Sequence, residues 1–585
     1  EHRIQLQQLR RTHLMPEKEA EQRALARSIL SPERNGTLSA EQMLKAWQKI
    51  KRNVRSLHER IFFRPLLAAV STLSRDEVIL GEQAAQDRLA ALGYRDPRGA
   101  MRHIKALTTG LSRSADIQRH LMPVLLGWFA RGVDADAGLL GFRIVSESLG
   151  STSWYLRMLR DSPAAAERLS QLLSSSRLMT DLLEDASASI AWLDKVDDLK
   201  ALGEEALESE ISSLLARHED AVEAMRAVRY LRRRETLRTA MGWTLGIVDI
   251  EDTCAGLAAI DECTIDAALR IALRELQSTA EESEAGETAG EQLLTRIAII
   301  GMGRLGGAEN GFGSDADVMF VHEPLEGVDE DAAQEQAARI VNRTLALLKQ
   351  PVKPPIRAER PLEVDADLRP EGKQGAIVRS LDSYRSYYEH WAETWEFQAL
   401  TRARPIGGDP QLGEAFVELI DPYRYPATFT PEQVQQIRRM KARVENERMP
   451  HGADRTRQLK LGRGGLSDVE WLVQLLQLRH AHAVPGLRTT STLKALDAAV
   501  EAGLVTAEDA EVLSGAWLLA TKIRGGNVLR GVRQSDTLPS GRADLEAIAR
   551  WCGYPAGSAR ALEEDYLRQT RNASKVYERL FFDEA

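Results

Sequence analysis

Apolar and polar positions alternate with a helical period over most of the chain. Between residues 17 and 275, and again from 431 to 585, apolar residues recur every three or four positions and are interrupted at glycine, proline or serine. The composition agrees, since Leu, Ala, Glu and Arg are plentiful and aromatic residues make up only 5%. In the first third of the chain the spacing predicts helices over Ala40–Leu57, Phe62–Leu73, Ala84–Leu92, Ala100–Leu111 and Ile117–Phe129.

The stretch from Arg296 to Val321 has a different pattern. Its sequence, RIAIIGMGRLGGAENGFGSDADVMFV, predicts a strand, a glycine-rich turn, a short helix, a second turn and a second strand. The second strand opens with Asp315 and Asp317, and side chains two apart in a strand point to the same side. A later alternating segment, Val364–Leu368, places Asp365 and Asp367 on one face. We therefore expect an α+β protein that is predominantly α-helical.

A dinucleotide site is the first interpretation of this stretch. A G-x-G-x-x-G pattern follows the first strand, and the acidic Glu323 ends the second. A dinucleotide fold, however, needs a crossover helix of roughly ten or more residues after the third glycine. Here Gly307, Gly311 and Gly313 leave room for only about two helical turns, and the aspartates would have no role. The pattern disfavours a dinucleotide site.

A metal-dependent nucleotidyl transfer site is the second interpretation. Asp315 and Asp317, joined by Asp365 from a later strand, supply carboxylate oxygens, and three such groups can hold two Mg²⁺ ions about 3.5–4 Å apart. Loop N–H groups and nearby Arg or Lys would neutralise the charge that develops on the phosphates. A simple turn would also suit Gly313-Ser314-Asp315, but it gives Asp365 no role.

Charge and cysteine content narrow the class of protein. The net charge of -9 disfavours tight nucleic-acid binding as the main activity. The three cysteines form no C-x-x-C pair, which fits a reducing cytoplasm and predicts neither a disulfide framework nor a zinc site. We expect no signal peptide and no membrane partner. Because the chain begins with Glu1 in a helical pattern, we interpret it as a piece of a longer protein.

Four motifs occur in an order and at a spacing that resemble the glutamine synthetase adenylyltransferase family. They are GMGRLGGAENGFGSDADVMF, EVDADLRPEG, WEFQALTRARPI and KLGRGGLSDVEWLVQLLQLRH. The resemblance covers the chain from about residue 135 to its end. It implies a DNA polymerase β-like nucleotidyltransferase domain flanked by helical domains. Residues 1–134 would be the helical tail of a preceding half with linker helices, 135–430 the nucleotidyltransferase domain with an N-terminal helical subdomain, and 431–585 a helical bundle.

The resemblance also implies roles for individual residues. Asp315, Asp317 and Asp365 would be the catalytic and metal-binding carboxylates, and we assign the general base to Asp365. The nucleotide-binding residues would be Gly303, Arg304, Gly313, Ser314 and Arg369. Arg304 stands where lysine is common in the family, so a bidentate phosphate contact would replace a point charge.

The implied activity is transfer of AMP from ATP to a tyrosine hydroxyl of glutamine synthetase, with Mg²⁺ and release of pyrophosphate. A PII-type signal protein and glutamine are the expected regulators, and no nucleic acid is an expected partner. Two alternatives remain open. The same fold would run in the removing direction, by phosphorolysis of the AMP-tyrosine bond, or the helical majority would be a regulatory scaffold around a vestigial site.

Four further segments carry predictions. The basic run Arg229–Arg234 is interpreted as a solvated helix face, and Trp391 with Trp395 as core residues on one helix over 384–403. Ser467-x-x-Glu470 predicts a capping box behind a glycine-rich loop. Lys460 and Arg463 of that loop would reach a phosphate only if the bundle folds back over the site.

Two segments are predicted from weaker patterns. The acidic, small-residue stretch 279–292 predicts a solvated insertion. Residues 1–16 resemble the segment that ends at Pro539, which suggests the end of a preceding copy of the same architecture.

Overall fold

The computed structural model divides the chain into two compact units, Glu1–Gly127 and Trp128–Ala585. It describes residues 15–16, 18–28, 39–58, 75–110, 112–149, 152–278, 291–356, 359–531 and 535–582. The predictions for residues 1–14, for a helix over 62–73 and for an insertion at 279–290 fall outside the described residues. The boundaries predicted at 134 and 430 stay predictions.

The first unit is helical where the structure describes it. Its helices are α1 (Glu19–Ser28), α2 (Ala40–His58), α3 (Arg75–Leu92), α4 (Pro97–Thr108) and the part of α5 (Arg113–Arg131) that precedes Trp128. Leu25, Ala26 and Met43 form a small buried cluster between α1 and α2. Nearer its end, the buried Tyr94 hydroxyl donates a hydrogen bond of 3.1 Å to the carbonyl of Leu126.

The second unit begins with helices that precede its sheet. They are α6 (Ala135–Ser148), α7 (Trp154–Asp161), α8 (Pro163–Ser175), α9 (Arg177–Asp185), α10 (Glu204–Arg217), α11 (Ala221–Thr244) and α12 (Ile250–Ser278), with two 3₁₀ turns between α9 and α10. Serine and aspartate side chains cap several of these helices; Asp220, for example, accepts the backbone N–H groups of Val222 and Glu223 at the start of α11.

A five-stranded mixed sheet carries the stretch on which the sequence analysis centres. Its strands are β1 (Thr295–Gly301), β2 (Ala316–Pro324), β3 (Val364–Asp365), β4 (Val378–Ser380) and β5 (Arg404–Gly408). β1 lies between β2 and β5 and is antiparallel to both, whereas β3 and β4 pair with β2 in parallel. Since a dinucleotide fold requires parallel strands, the antiparallel β1–β2 pair confirms that this interpretation does not apply.

Strand alternation sorts the apolar side chains into two cores. Ile297 and Ile299 of β1 face one cluster, formed with α10, α11, α12 and the later helix α14 (Glu330–Lys349). Ala298 and Ile300 face the other, formed with α15 (Leu381–His390) and α17 (Pro410–Arg424). Because both faces are covered, β1 is apolar along nearly its whole length. The prediction of a predominantly helical α+β protein is confirmed.

The C-terminal part of the second unit is a helical bundle. Its helices are α18 (Pro431–Arg448), α19 (Leu466–His480), α20 (Thr492–Glu501), α21 (Ala507–Gly531), α22 (Arg542–Trp551) and α23 (Ala559–Phe582). Large side chains such as Leu513, Trp517 and Tyr566 are buried between them. No described helix of either unit combines the length and the apolar character needed to cross a membrane.

Three local predictions are wrong. The helix expected over 384–403 is two helices, α15 and α16 (Thr394–Leu400), and Trp391 in the break between them is 76% exposed rather than part of the core. The strand expected over 364–368 stops after Asp365. The capping box at Ser467 does not form, because α19 begins at Leu466 with Gly465 as its N-cap, which places Ser467 inside the first turn.

Candidate active site

Three carboxylates converge at the end of the sheet. Asp315 directly precedes β2, and Asp317 is the second residue of that strand. Asp365 pairs with Asp317 in the parallel β2–β3 register, so the two side chains lie side by side on neighbouring strands. One carboxylate oxygen from each of Asp315, Asp317 and Asp365 lies within 4.8 Å of the others. The structure thus brings together the three acids that the sequence singled out.

The glycine-rich turn after β1 packs directly against this cluster. Gly303 has a positive φ of 51°, and a Cβ built on it would lie 2.1 Å from the Oδ2 atom of Asp317. Gly306 lies against backbone, since its Cβ would meet the carbonyl oxygen of Arg402 at 1.9 Å. The helix between them, α13 (Gly303–Gly306), is a single turn. Glycine is required here because any side chain would displace either the carboxylate or the neighbouring backbone.

The electrostatics of the cluster follow from its crowding. Burial, together with the charges of Asp315 and Asp365, raises the pKa of Asp317 to about 6. The positive charges of Lys460 and Arg448 act on Asp317 in the opposite direction. A cation between carboxylates held this close would stabilise their charged forms, because a divalent ion cancels the repulsion that raises the pKa of Asp317.

The other predicted nucleotide-binding residues shape the loops around the acids. The buried Ser314 accepts the N–H of Gly311 at 3.1 Å and so closes the turn before β2, and the preceding Gly313 has a φ of 70°. Arg304, in the short helix after β1, contacts the helical bundle, where its guanidinium lies 3.2 Å from the carboxylate of Glu470. Arg369 donates to the carbonyls of Ala366 and Gly375, at 2.7 and 3.1 Å.

Asp367 does not share the face of Asp365 as the predicted strand required. The chain turns immediately after Asp365, whose Oδ1 atom accepts the N–H of Asp367 at 2.7 Å. The carboxylate of Asp367 instead lies near Lys373 at 3.3 Å and Arg369 at 3.6 Å. The strand prediction fails because a backbone N–H that bonds to a side chain two residues earlier bends the chain out of the extended form.

A buried polar cluster fastens the loop between α13 and β2 to the bundle. Glu309 is 6% exposed and forms an ion pair with Arg402, which is 5% exposed. The same carboxylate accepts the backbone N–H and the hydroxyl of Thr492, at 2.6 and 2.9 Å, at the start of α20. Since every contact is inside the protein, these groups fix the position of the loop.

The basic run in α11 is not the solvated face that the sequence suggested. Its four arginines form ion pairs within the second unit, namely Arg229–Glu359, Arg232–Asp261, Arg233–Asp185 and Arg234–Glu210. Asp261 also accepts the amide of the buried Asn310, so Arg232 is linked to the loop before β2. Three of the arginines line a cavity of about 470 Å³ that reaches Ser314 and Asp315.

The C-terminal bundle lies over the same end of the sheet. Glu470 in the first two turns of α19 contacts Arg304, whose guanidinium also lies 5.3 Å from the ring centre of Trp517. The glycine-rich loop 460–465 precedes this helix. It is held to it by the N–H groups of Leu466 and Ser467, which donate to Leu459 and Lys460 at 3.0 Å. The sequence analysis expects Lys460 and Arg463 to reach a phosphate only if the bundle folds back over the site. Because the bundle does lie over this end of the sheet, the loop 460–465 is near the site.

Comparison with known proteins agrees with this site. A family model described as glutamate-ammonia ligase adenylyltransferase matches residues 166–419. The chain is 49% identical to a protein of Leifsonia xyli subsp. xyli and 48% identical to one of Streptomyces avermitilis, each over 100% of the chain. A protein of Nocardia farcinica is 45% identical over 99% of the chain. All three are named bifunctional glutamine synthetase adenylyltransferase/adenylyl-removing enzyme.

The chain is similar over its whole length to relatives of this name, and residues 166–419 match the glutamate-ammonia ligase adenylyltransferase family. It spans 56–58% of the length of these relatives. The region matched by the family model contains the sheet and all three carboxylates. A second model, described as GlnD PII-uridylyltransferase, matches residues 1–62 and 438–581 and thus most of the bundle.

Sequence reasoning missed the groups that join the two parts of the site. Glu309 and Arg402 are 93 positions apart, and Arg304 and Glu470 are 166 apart. No local pattern pairs residues at such separations. The one available signal was that Glu309 and Asn310 are polar residues between glycines in an otherwise apolar stretch, where a buried polar group requires a partner.

Proposed function

We propose that this chain moves AMP from ATP to a tyrosine hydroxyl of glutamine synthetase and releases pyrophosphate. The observation that carries the proposal is the cluster of Asp315, Asp317 and Asp365, with a glycine turn against Asp317. The names of the relatives support the same reaction. Such a cluster needs little else from the protein, because phosphoryl and nucleotidyl transfer depend chiefly on positioning and charge stabilisation.

The donor set fits Mg²⁺. Carboxylate oxygens are hard ligands, and a bound cation would relieve the repulsion by which the charges of Asp315 and Asp365 raise the pKa of the buried Asp317. We assign Asp315, Asp317 and Asp365 as the residues that hold a pair of such ions. When bound, the ions would polarise the α-phosphate and stabilise the departing charge. The remaining tasks fall to residues of the chain.

Those tasks are orientation and proton removal. The tyrosine oxygen attacks the α-phosphorus, a new P–O bond forms, and the bond to the bridging oxygen breaks so that its electron pair leaves with pyrophosphate. The hydroxyl proton passes to Asp365, which lies on the short edge strand β3. The turns that contain Gly303, Arg304, Gly313 and Ser314, and the loop stabilised by Arg369, set the walls against which the nucleotide lies.

Mass spectrometry tests this proposal. The chain is incubated with ATP, Mg²⁺ and glutamine synthetase from the same organism, and one AMP is expected on a tyrosine of the latter. Asp315→Asn is expected to abolish the modification while leaving the circular dichroism spectrum unchanged. If ATP binds and no modification appears, the proposal is wrong.

The removing reaction is a second candidate, because the names of the relatives include it. In that direction inorganic phosphate attacks the phosphorus of AMP-tyrosine, and ADP and free tyrosine result. Incubation of AMP-modified glutamine synthetase with phosphate and Mg²⁺ distinguishes the two, since ADP forms only by removal. A vestigial site would bind no Mg-ATP, which a titration decides.

Regulation by a PII-type signal protein and by glutamine is the remaining part of the proposal. The match of residues 438–581 to the PII-uridylyltransferase model supports a PII-linked role for the bundle. Adding PII protein or glutamine to the assay is expected to change the rate of AMP transfer. An unchanged rate with both would remove the regulatory assignment.

A further inference from the structure

A second cavity, of about 230 Å³, lies in the second unit and has none of the three carboxylates in its described wall. Helices α5, α8, α11 and α22 form this cleft, and α8 contributes Glu167, Gln171 and Ser175 from one face. The cleft is smaller than the roughly 300–1,000 Å³ of pockets that enclose drug-sized ligands. A ligand that fits it is therefore a small molecule.

Both signs of charge line this cleft without neutralising each other. Arg131, the last residue of α5, and Glu167 on α8 are both exposed. Within the described residues neither side chain forms an ion pair or a hydrogen bond, so the two groups are too far apart to compensate each other directly. Opposite charges held apart around one small cleft complement a ligand that carries both signs.

Arg550 adds a second cation near the end of α22. Its Nη1 atom donates to the carbonyl of Arg131 at 2.8 Å, which fixes the guanidinium at the cleft. Its Nε atom lies 3.6 Å from the carboxylate of Glu546, too far for a hydrogen bond, and its Nη2 atom bonds to no described group. The guanidinium therefore keeps donor capacity for a carboxylate.

Two indole rings supply the apolar part of the wall. Trp128 and Trp551 both line the cleft, and Trp551 is 8% exposed. The indole N–H of Trp551 donates to the hydroxyl of Thr244 at 3.0 Å, and the amide of Gln171 donates to the carbonyl of the same threonine at 3.0 Å. Because these polar groups bond to each other, the cleft has its shape before any ligand enters.

We propose that this cleft binds a free α-amino acid. The carboxylate of the ligand lies against Arg550 and Arg131, its ammonium against Glu167, and its side chain against the indoles. The inference rests on the proposed regulation, since glutamine, the expected regulator, belongs to this chemical class. It supplies a binding site and named residues, and it separates the cleft from the acid cluster that performs the reaction.

A row of stacked aromatic rings joins the cleft to the loop before β2. The rings of Trp551 and Trp243 have centres 6.3 Å apart and planes at 17°, and those of Trp243 and Phe312 are 5.8 Å apart at 24°. Phe312 is three residues before Asp315 and lines the larger cavity with it. Because closely packed rings move together, a ligand that shifts Trp551 also shifts this loop and changes the affinity for Mg-ATP.

Two neighbouring glycines of α21 allow the rings to pack this closely. A Cβ built on Gly525 would lie 3.0 Å from the ring of Trp243, and one on Gly526 would lie 3.3 Å from the ring of Trp551. Glycine is unfavourable inside a helix, and here it leaves room for the two indoles. The row therefore has little space in which one ring could move alone.

Isothermal titration of the whole chain with L-glutamine, L-glutamate and glutarate tests the site without turnover. Glutarate carries no ammonium and is expected to bind more weakly than either amino acid. We expect Glu167→Gln and Arg550→Gln each to weaken amino-acid binding about tenfold, as for loss of one charge-assisted contact. Glu167→Gln is expected to leave glutarate binding unchanged, because only the ammonium contacts that carboxylate.

Glu205→Gln on α10 and Arg560→Gln on α23 are the matched controls, since both residues are exposed and lie outside the cleft. Glu167 makes no contact with a described residue, so its substitution tests binding without disturbing the fold. The proposal is overturned if neither amino acid binds the parent. It is also overturned if both cleft variants bind the amino acids as tightly as the parent.

The same titrations in saturating Mg-α,β-methylene-ATP measure the coupling. The affinity for the amino acid is expected to change about fivefold or more, because coupling between sites is reciprocal and usually of at least this size. Gly525→Ala and Trp243→Phe are expected to bring that ratio towards one. Gly515→Ala on the same helix is the control, since the atom nearest its added Cβ is 3.6 Å away. A ratio of one in the parent, or equal ratios in all three variants, would overturn the coupling.

Failure of this inference is distinguishable from failure of the proposed function. If AMP reaches glutamine synthetase but neither amino acid binds the chain, the function stands and the inference fails. If Glu167→Gln loses affinity for amino acids but no AMP is transferred by the parent, the amino-acid site stands and the proposed reaction is wrong.

Discussion

Acidic residues of the loop after α13 and of the start of β2 have opposite surroundings. Glu309 is buried and its charge is fully compensated by Arg402 and Thr492. Asp315 and Asp317, a few residues later, lie close to each other and to Asp365, and among the described residues none of the three forms an ion pair. The residue type is nearly the same, but one carboxylate is part of the protein's internal structure and the others are left for a ligand.

The contrast distinguishes charged residues that stabilise the fold from charged residues that bind a ligand. A compensated buried pair fixes geometry, and removing one partner exposes the desolvation cost of the other. A cluster of like charges destabilises the protein that carries it, so it persists where a bound cation offsets the repulsion. Four measurements, from the largest expected effect to the smallest, sharpen or break this comparison, and the pH dependence of stability adds a check on the last of them.

Asp317→Asn is expected to lower AMP transfer by at least about 10²–10³-fold, the usual cost of removing one electrostatic partner of a transition state. Thermal stability of the metal-free chain is expected to stay the same or rise, because the substitution removes one of three mutually repelling charges. Initial rates and a melting curve check both. A variant that melts well below the parent would place Asp317 among the structural acids.

Glu309→Gln is expected to lower the free energy of unfolding by about 3 kcal/mol, since it leaves the buried Arg402 without its countercharge. Urea denaturation measures the change. Glu326→Gln on the exposed turn after β2 serves as the control and is expected to fall within about 0.5 kcal/mol. Equal stability of both variants would contradict the structural role of Glu309.

Gly303→Ala is expected to weaken Mg²⁺ or Mn²⁺ binding by about tenfold, the lower end of the range for lost support of a metal ligand, because the new Cβ pushes the Asp317 carboxylate aside. Gly327→Ala is a matched control: its φ is also positive, at 78°, but nothing lies within 4 Å of the added atom. Both variants are expected to lose about 1 kcal/mol of stability through backbone strain. Equal metal affinity of the two would remove Gly303 from the site.

The smallest expected effect is the release of protons when a metal ion binds. Because the folded pKa of Asp317 is about 6, above the ordinary aspartate value, the metal-free chain holds a proton there below pH 6. Metal binding is therefore expected to release up to one proton near pH 5.5 and almost none at pH 8, with affinity falling as pH falls through 6. Titration calorimetry in two buffers of different ionisation enthalpy measures it.

The stability of the metal-free chain also depends on pH. A carboxyl with a raised folded pKa binds more protons folded than unfolded, so the metal-free chain gains stability as pH falls from above 6 towards 4. Asp317→Asn is expected to remove that gain. A parent and variant with identical pH profiles would show that Asp317 is not crowded.

Much of the site followed from local pattern. The apolar run of β1, the glycines after it and the Asp-x-Asp at β2 lie within twenty-odd residues, and strand alternation alone orients the two aspartates. The place of Asp365 could also be predicted, because it required only one further short strand. The errors occurred where a side chain competes with the backbone or where a neighbour decides exposure, as with Asp367, Ser467 and Trp391.

The sequence by itself determined the mainly helical class, the short glycine turn that excludes a dinucleotide fold, and the identity of the three carboxylates, because each lies in a short segment with a recognisable local pattern. Only the tertiary structure decided that the arginines of α11 are paired internally and that Glu309 and Arg402 join loop to bundle. Those outcomes depend on which distant groups share a region of low dielectric, and charge interactions there extend over distances that no sequence spacing encodes.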